Sequence, residues 1–393
     1  MAQTRKKEQH VAVFGESGSG KTVLISSFFG STVESEHSRK GPFKVVADHV
    51  GQGQQLLQNY YRMRRSAEVP LANRFRAIPY RFSVVLKDAA NATSRKSRPF
   101  DALQIVWHDY PGEWFEQDVS GAEEARRRVD TFRSLLVSDV AILLVDGQKL
   151  LDNTGDEERY LKSLFSNFSN GLLTLRDDLL KDGKPLVIFP RIWIIALSKA
   201  DLLPDMTVSN LRALVIEKAA GNLADLRETL ASLVQDDDAL SVGEDFVILS
   251  SAKFKSQVID VEERIGVDLI LPLASVLPLE RHVRWAHKRD TSGRVAQQLL
   301  GKAETLGASS LAYALMGVKL VSLPGPLGVV ARVVSSFASK EVLTNAVNLA
   351  GEKLREANEE AVAKGQVLTA ILTQFKIDLE QGEENDVLRR SQR

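Results

Sequence analysis

The densest chemistry in this chain lies near its start, in Gly15-Glu16-Ser17-Gly18-Ser19-Gly20-Lys21-Thr22, followed by Val23. These eight residues satisfy G-x-x-x-x-G-K-[ST]. Glycines let the backbone turn so tightly that successive N–H groups converge on phosphate oxygens at a helix N-terminus. In such a loop Lys21 is expected to reach the β- and γ-phosphates of a nucleoside triphosphate, and the Thr22 hydroxyl to ligate Mg²⁺. The metal also needs an acidic residue at the C-terminal end of a neighbouring strand. Asp109 occupies that place, delivered by the apolar run Leu103-Gln104-Ile105-Val106-Trp107. Gly112, three residues on, completes D-x-x-G and offers an N–H to the γ-phosphate. His108, with nothing nearby to make it a ligand or a base, is read as structural.

Strands and helices must position these groups, and the hydrophobic pattern supplies them. Residues 11–14 are a short apolar run stopped by Gly15, and residues 22–29 open a helix, giving strand, glycine loop, helix. From about 30 to 77 the pattern is irregular and partly helical, with Leu56, Leu57, Tyr60, Tyr61 and Met63 suggesting one packed face; it reads as an insertion. Residues 80–86 and 103–107 alternate as strands, with a polar turn between them. Residues 121–136 have helical spacing, and 140–145 is a nearly continuous aliphatic run typical of a parallel strand buried on both faces. A charged helical stretch to 181, a buried strand at 191–197, a helical region to about 233 and a last strand at 246–249 follow. Strands alternating with helices predict an α/β domain over residues 1–285, its mainly parallel sheet covered by helices. Beyond 287 no strand pattern recurs. Residues 286–380 read as an all-helical region, and 381–393 as a polar, disordered tail.

Two further turns follow predicted strands on the ligand-binding edge of an open α/β sheet: Ser198-Lys199-Ala200-Asp201 and Ser250-Ser251-Ala252-Lys253. With the glycine loop and Asp109-Tyr110-Pro111-Gly112, they resemble the P-loop GTPases of the TRAFAC type, over roughly residues 10–260. In that family the two turns carry [NT]-K-x-D and S-A-K. The resemblance implies that the ligand is GTP. Asp201 then accepts from guanine N1 and N2, Lys199 lies over the ring, and Ala252, flanked by Ser251 and Lys253, offers its N–H to O6. Ser198 departs from the family pattern, since a hydroxyl cannot supply the paired contacts of an amide. The runs 109–114 and 198–201 look most like the bacterial YcjX-like branch.

The resemblance also implies GTP hydrolysis to GDP and phosphate, with Mg²⁺ as cofactor, in a molecular switch. Glu113, however, stands where many relatives have glutamine after D-x-x-G, and a carboxylate beside an anionic γ-phosphate is a poor holder of water. Direct catalysis and a switch or partner contact both stay open for it. A threonine that senses the γ-phosphate is not placed by the pattern: between the first helix and the second strand Thr32 is the only one, and Ser66 is the alternative. Arg62, Arg64 and Arg65 read as solvated helix charges, with an arginine finger as the other reading.

Composition bounds the rest. The 393 residues carry 51 Lys plus Arg against 51 Asp plus Glu, which argues against a coat for nucleic acid or anionic lipid. No cysteine is present, so disulfides, thiolate zinc and thiol catalysis are excluded, and a cytoplasmic setting fits. Two uncharged runs, 306–318 and 320–331, are 13 and 12 residues long. Each falls short of the ~20 that span a bilayer. They read as a buried helix pair. Peripheral membrane contact through 300–340, a homodimer and a protein effector or activator remain alternative partners, and a membrane-associated mechanical GTPase or a non-hydrolysing scaffold the alternative functions.

Overall fold

The computed structural model describes residues 7–34, 43–70, 78–86, 103–112, 121–180, 183–186, 189–235, 240–255, 258–288, 354–356, 358–359 and 367–391. The glycine loop joins β1 (Lys7–Phe14) to α1 (Lys21–Glu34). Then come β2 (Phe43–Ala47), α2 (Val50–Ser66), β3 (Ile78–Leu86) and β4 (Leu103–Asp109). After α3 (Ala122–Leu135), β5 (Val140–Asp146) runs directly into the short α4 (Gly147–Asp152), followed by α5 (Glu157–Thr174). β6 (Ile192–Ser198), α6 (Val208–Leu233) and β7 (Asp245–Ile248) continue the alternation. A hairpin of β8 (Lys253–Lys255) and β9 (Val258–Asp260) precedes α7 (Ile270–Lys288); α8 (Val367–Glu384) and β10 (Leu388–Arg389) follow.

Eight strands form one sheet in the order β10-β7-β6-β5-β1-β4-β3-β2. The central five, β7 to β4, are parallel; β3, β2 and β10 are antiparallel to their inner neighbours. The aliphatic run of β5 explains its place. Val140, Ile142 and Leu144 feed one core and Ala141, Leu143 and Val145 the other, so both faces must be covered. One layer holds α1, α7 and α8, the other α3, α5 and α6. The fold class is therefore the expected one: a P-loop α/β domain of the G-domain type, with a mainly parallel sheet under helices.

Three expectations change. The irregular stretch after α1 is not only inserted helix. β2 pairs antiparallel with β3 and extends the sheet, and its five residues were too few to show alternation. The strand at 245–248 does not close the series. The supposedly disordered tail supplies β10, with Leu388 opposite Val247 and Arg389 opposite Phe246. Its polar side chains are used in a buried network that composition alone hides. Arg281 on α7 pairs with Asp245, both fully buried, and Ser391 N donates to Asp245 Oδ1 at 2.9 Å. Arg390 pairs with Glu280 at 3.0 Å and Glu383 at 2.5 Å. The two uncharged runs, 306–318 and 320–331, lie outside the described residues. Among the described residues no helix is long and apolar enough to cross a membrane.

Candidate functional site

β1 delivers the glycine loop and α1 receives it, so residues 15–20 bend round the helix N-terminus. Gly18 and Gly20 have φ of +76° and +90°, which residues with a Cβ rarely adopt. Ser19 N donates to Glu16 O at 3.2 Å, closing the turn. Lys21 lies across the loop: its Nζ donates to Gly15 O at 2.8 Å, Glu16 O at 2.9 Å and Ser19 Oγ at 3.5 Å.

β4 brings Asp109 to the same point. Thr22 Oγ1 donates to Asp109 Oδ2 at 3.4 Å, so a hydroxyl from α1 and a buried carboxylate from β4 converge. Two oxygen donors with no nitrogen or sulfur suit a hard cation such as Mg²⁺, which takes its other ligands from water and phosphate. Among the described residues no group of three or more His, Asp or Glu side chains could hold a metal by itself. Gly112 sits hard against the loop. A Cβ there would lie 2.5 Å from Glu16 C and from Ser17 N, both backbone atoms. Glu113 lies outside the described residues.

Tyr110, between Asp109 and Gly112, is a site residue that motif reading missed. Its buried hydroxyl accepts from Gly15 N at 2.8 Å, and Lys21 Nζ stands 5.3 Å from its ring centroid. His108 faces His10 instead, Nδ1 of His10 lying 3.1 Å from His108 Nε2. Burial first, then the neighbouring His10 and Arg81, push His108 down to about 4. It is neutral at pH 7, as a structural role requires.

The ends of β6 and β7 form the other half of the site. Lys199 adopts φ +54°, and its Nζ meets Asp146 Oδ2 at 2.8 Å. Ser198 Oγ donates to Val145 O at 3.3 Å. Asp201 is braced on both oxygens: Oδ1 accepts from Ser250 Oγ at 2.7 Å and Oδ2 from Phe254 N at 3.2 Å. Ser250 thus does the bracing, while Ser251 is tied through its carbonyl to Ser27 Oγ of α1 at 2.6 Å. Ala252 is fully buried, and Lys253 pairs outward with Glu263 at 2.6 Å.

One cleft of about 420 Å³ joins the two halves. It is lined by residues 17–23 of the loop and helix, by Gly112, and by Ser198, Lys199, Asp201 and Ser251. Val69, Pro70 and Phe254 add an apolar rim that the sequence did not reveal. Such a volume suits a small organic ligand. Thr32 is not part of it. Its hydroxyl donates to Phe29 O inside α1 at 2.8 Å, and ten residues of helix carry it about 15 Å beyond Thr22. Arg64 pairs with Glu34 at 2.8 Å and Glu262 at 3.0 Å, and Arg65 lies 5.4 Å from the Tyr61 ring centroid.

No protein-family profile matches the chain, and no curated protein does. Solved structures do show likeness. A nucleolar GTP-binding protein 1 from Plasmodium falciparum aligns at 12% identity and TM-score 0.31, covering 77% of this chain and 98% of that one. The cytosolic domain of the T. maritima FeoB iron transporter, in a GDP form, aligns at 13% and 0.24, over 86% and 98%. An oligomerised bacterial dynamin pair aligns at 16% and 0.26, over 96% and 65%. With overlap this loose, the fold class rests on the chain's own strand order and loop.

Proposed function

We propose that this protein binds GTP with Mg²⁺ and hydrolyses it slowly to GDP and phosphate, as a molecular switch nearest to the YcjX-like branch of the P-loop GTPases. One juxtaposition supports the reading. Lys21 and Thr22 line one end of a cleft whose other end holds Asp201, Asp109 bonds to Thr22 there, and both ends lie at the carboxyl edge of the same sheet.

The loop amides and Lys21 receive the phosphates. Thr22 and Asp109 would hold a divalent metal, which would supply charge neutralisation for the phosphates. Gly112 N–H contacts the γ-phosphate, and that contact lets D-x-x-G sense hydrolysis. Asp201 selects guanine, because adenine presents an acceptor where guanine presents its N1–H donor to the carboxylate. Slowness is consistent with Thr32, whose hydroxyl is bonded inside α1, leaving Ser66 as the alternative switch hydroxyl. Glu113, a carboxylate beside an anionic γ-phosphate, enters the same proposal as a poor holder of water and so a second source of slowness.

Calorimetry of GTP, GDP and ATP with and without Mg²⁺, followed by phosphate release, tests it. Both guanine nucleotides should bind, ATP at least about a hundredfold more weakly, with turnover requiring Mg²⁺. Equal affinity for ATP, or Lys21→Ala retaining GTP affinity, would overturn the assignment.

A further inference from the structure

The glycine loop contains one side chain whose charge opposes its ligand. Glu16 is the loop's acidic residue, and its backbone carbonyl is one of the three oxygens that hold Lys21 Nζ. Its side chain is only 14% exposed. A carboxylate so close to a triphosphate site would repel the ligand unless a cation answered it. A cation from the opposite helical layer grips it. Lys149 Nζ of α4 meets Glu16 Oε2 at 2.9 Å. The buried Tyr160 hydroxyl of α5, which accepts from Asp146 N at 2.8 Å, stands beside the same carboxylate.

α4 is fixed where it must be to do this. It starts immediately after β5, and Asp146 caps it by accepting from Gln148 N at 2.9 Å. Gln148 itself lines the cleft. Lys149 therefore comes from the rim of the site, on a helix anchored to the strand beside the loop.

We infer that Lys149 is a positioning residue for the triphosphate: it neutralises Glu16 and holds that carboxylate against α4, so the loop amides meet the anion without a like charge beside them. The inference rests on the nucleotide reading above. Its signature is dependence on ligand charge. Repulsion from an exposed Glu16 grows with each phosphate charge, so loss of Lys149 penalises GTP more than GDP. A pair that merely stapled α4 to the loop would shift both alike.

The test uses the full chain and the variants Lys149→Met, Glu16→Gln and the double substitution. GTP and GDP affinities are measured by calorimetry at low and high salt. Lys149→Met should weaken GTP about tenfold and GDP about threefold, with the gap narrowing at about 0.5 M salt. Adding Glu16→Gln should return GTP to within about twofold of the original chain, because the charge that needed answering is gone. Equal losses for GTP and GDP, no loss at all, or failure of Glu16→Gln to rescue would each overturn this inference alone. Failure of the unaltered protein to bind GTP would overturn the nucleotide reading and this inference with it.

Discussion

Arg281→Met probes the fastening of the last strand. The Arg281 side chain is 0% exposed and that of Asp245 1%. Asp245 Oδ1 also receives the Ser391 amide, so one carboxylate joins β7, α7 and the segment after β10. Removing the guanidinium leaves a negative charge in the interior, a loss that typically costs about 3–5 kcal/mol. Total stability is only about 5–15 kcal/mol. At about 2–4 °C per kcal/mol, the melting temperature should fall by roughly 10 °C. Burial raises the Asp245 carboxyl above its ordinary value, and Arg281 opposes that rise. In the variant the folded-state pKa climbs further. The folded form then keeps its stability below the ordinary aspartate range and loses it as pH rises through the raised value. The damage should accordingly be greater at pH 7.5 than at pH 5. Adding Asp245→Asn should recover most of it, since no charge is left stranded. Thermal and urea melts of the single and double variants give the answer. A single variant within about 1 kcal/mol of the original, or a double variant no better than the single, would refute the reasoning.

Asp201→Asn should lower the GTP-to-ATP affinity ratio by about tenfold or more; competition binding that leaves the ratio unchanged would remove Asp201 from base selection. Gly112→Ala puts a Cβ 2.5 Å from backbone atoms of Glu16 and Ser17. Backbone cannot swing aside, so the fold should lose about 1–3 kcal/mol and triphosphate affinity should fall with it, as melting and calorimetry together would report. His108 stays neutral in the fold, pushed down to about 4, against about 6.5 in the unfolded chain. Its contribution is present above 6.5 and is lost as pH falls towards 4, amounting to about 2 kcal/mol between pH 7.5 and pH 5. His108→Gln should flatten the urea-midpoint profile over that window by this amount, and parallel profiles would contradict it.

The fold class was legible because its signals are local. A glycine loop between strand and helix, and an aliphatic run such as 140–146, each identify their element within a few residues. β2 and β10 were not legible: five and two residues cannot display a period, and both are defined by partners elsewhere in the chain. The same divide runs through the site. Lys21, Thr22, Asp109 and Asp201 sit in spaced motifs whose chemistry can be read in order. Tyr110, Lys149, Tyr160 and Ser250 act through contacts that span 95, 133, 14 and 49 positions in sequence, and no spacing rule reaches them. Asp146 could have been found, since it ends a buried strand just as Asp109 does. Thr32 failed for a physical reason: it lies in the last turn of α1, its hydroxyl bonded to Phe29 O.

The order in which the chain is made gives the last strand a further meaning. Ser391 reaches Asp245 across 146 residues, so β7 is synthesised long before the segment that covers its outer edge. At about 5–20 residues per second, that edge stays open for roughly ten to thirty seconds on each ribosome. An uncovered strand edge is a template for pairing with other chains. Until translation has passed residue 389 a nascent chain therefore carries an unpaired β7 edge and is prone to aggregate.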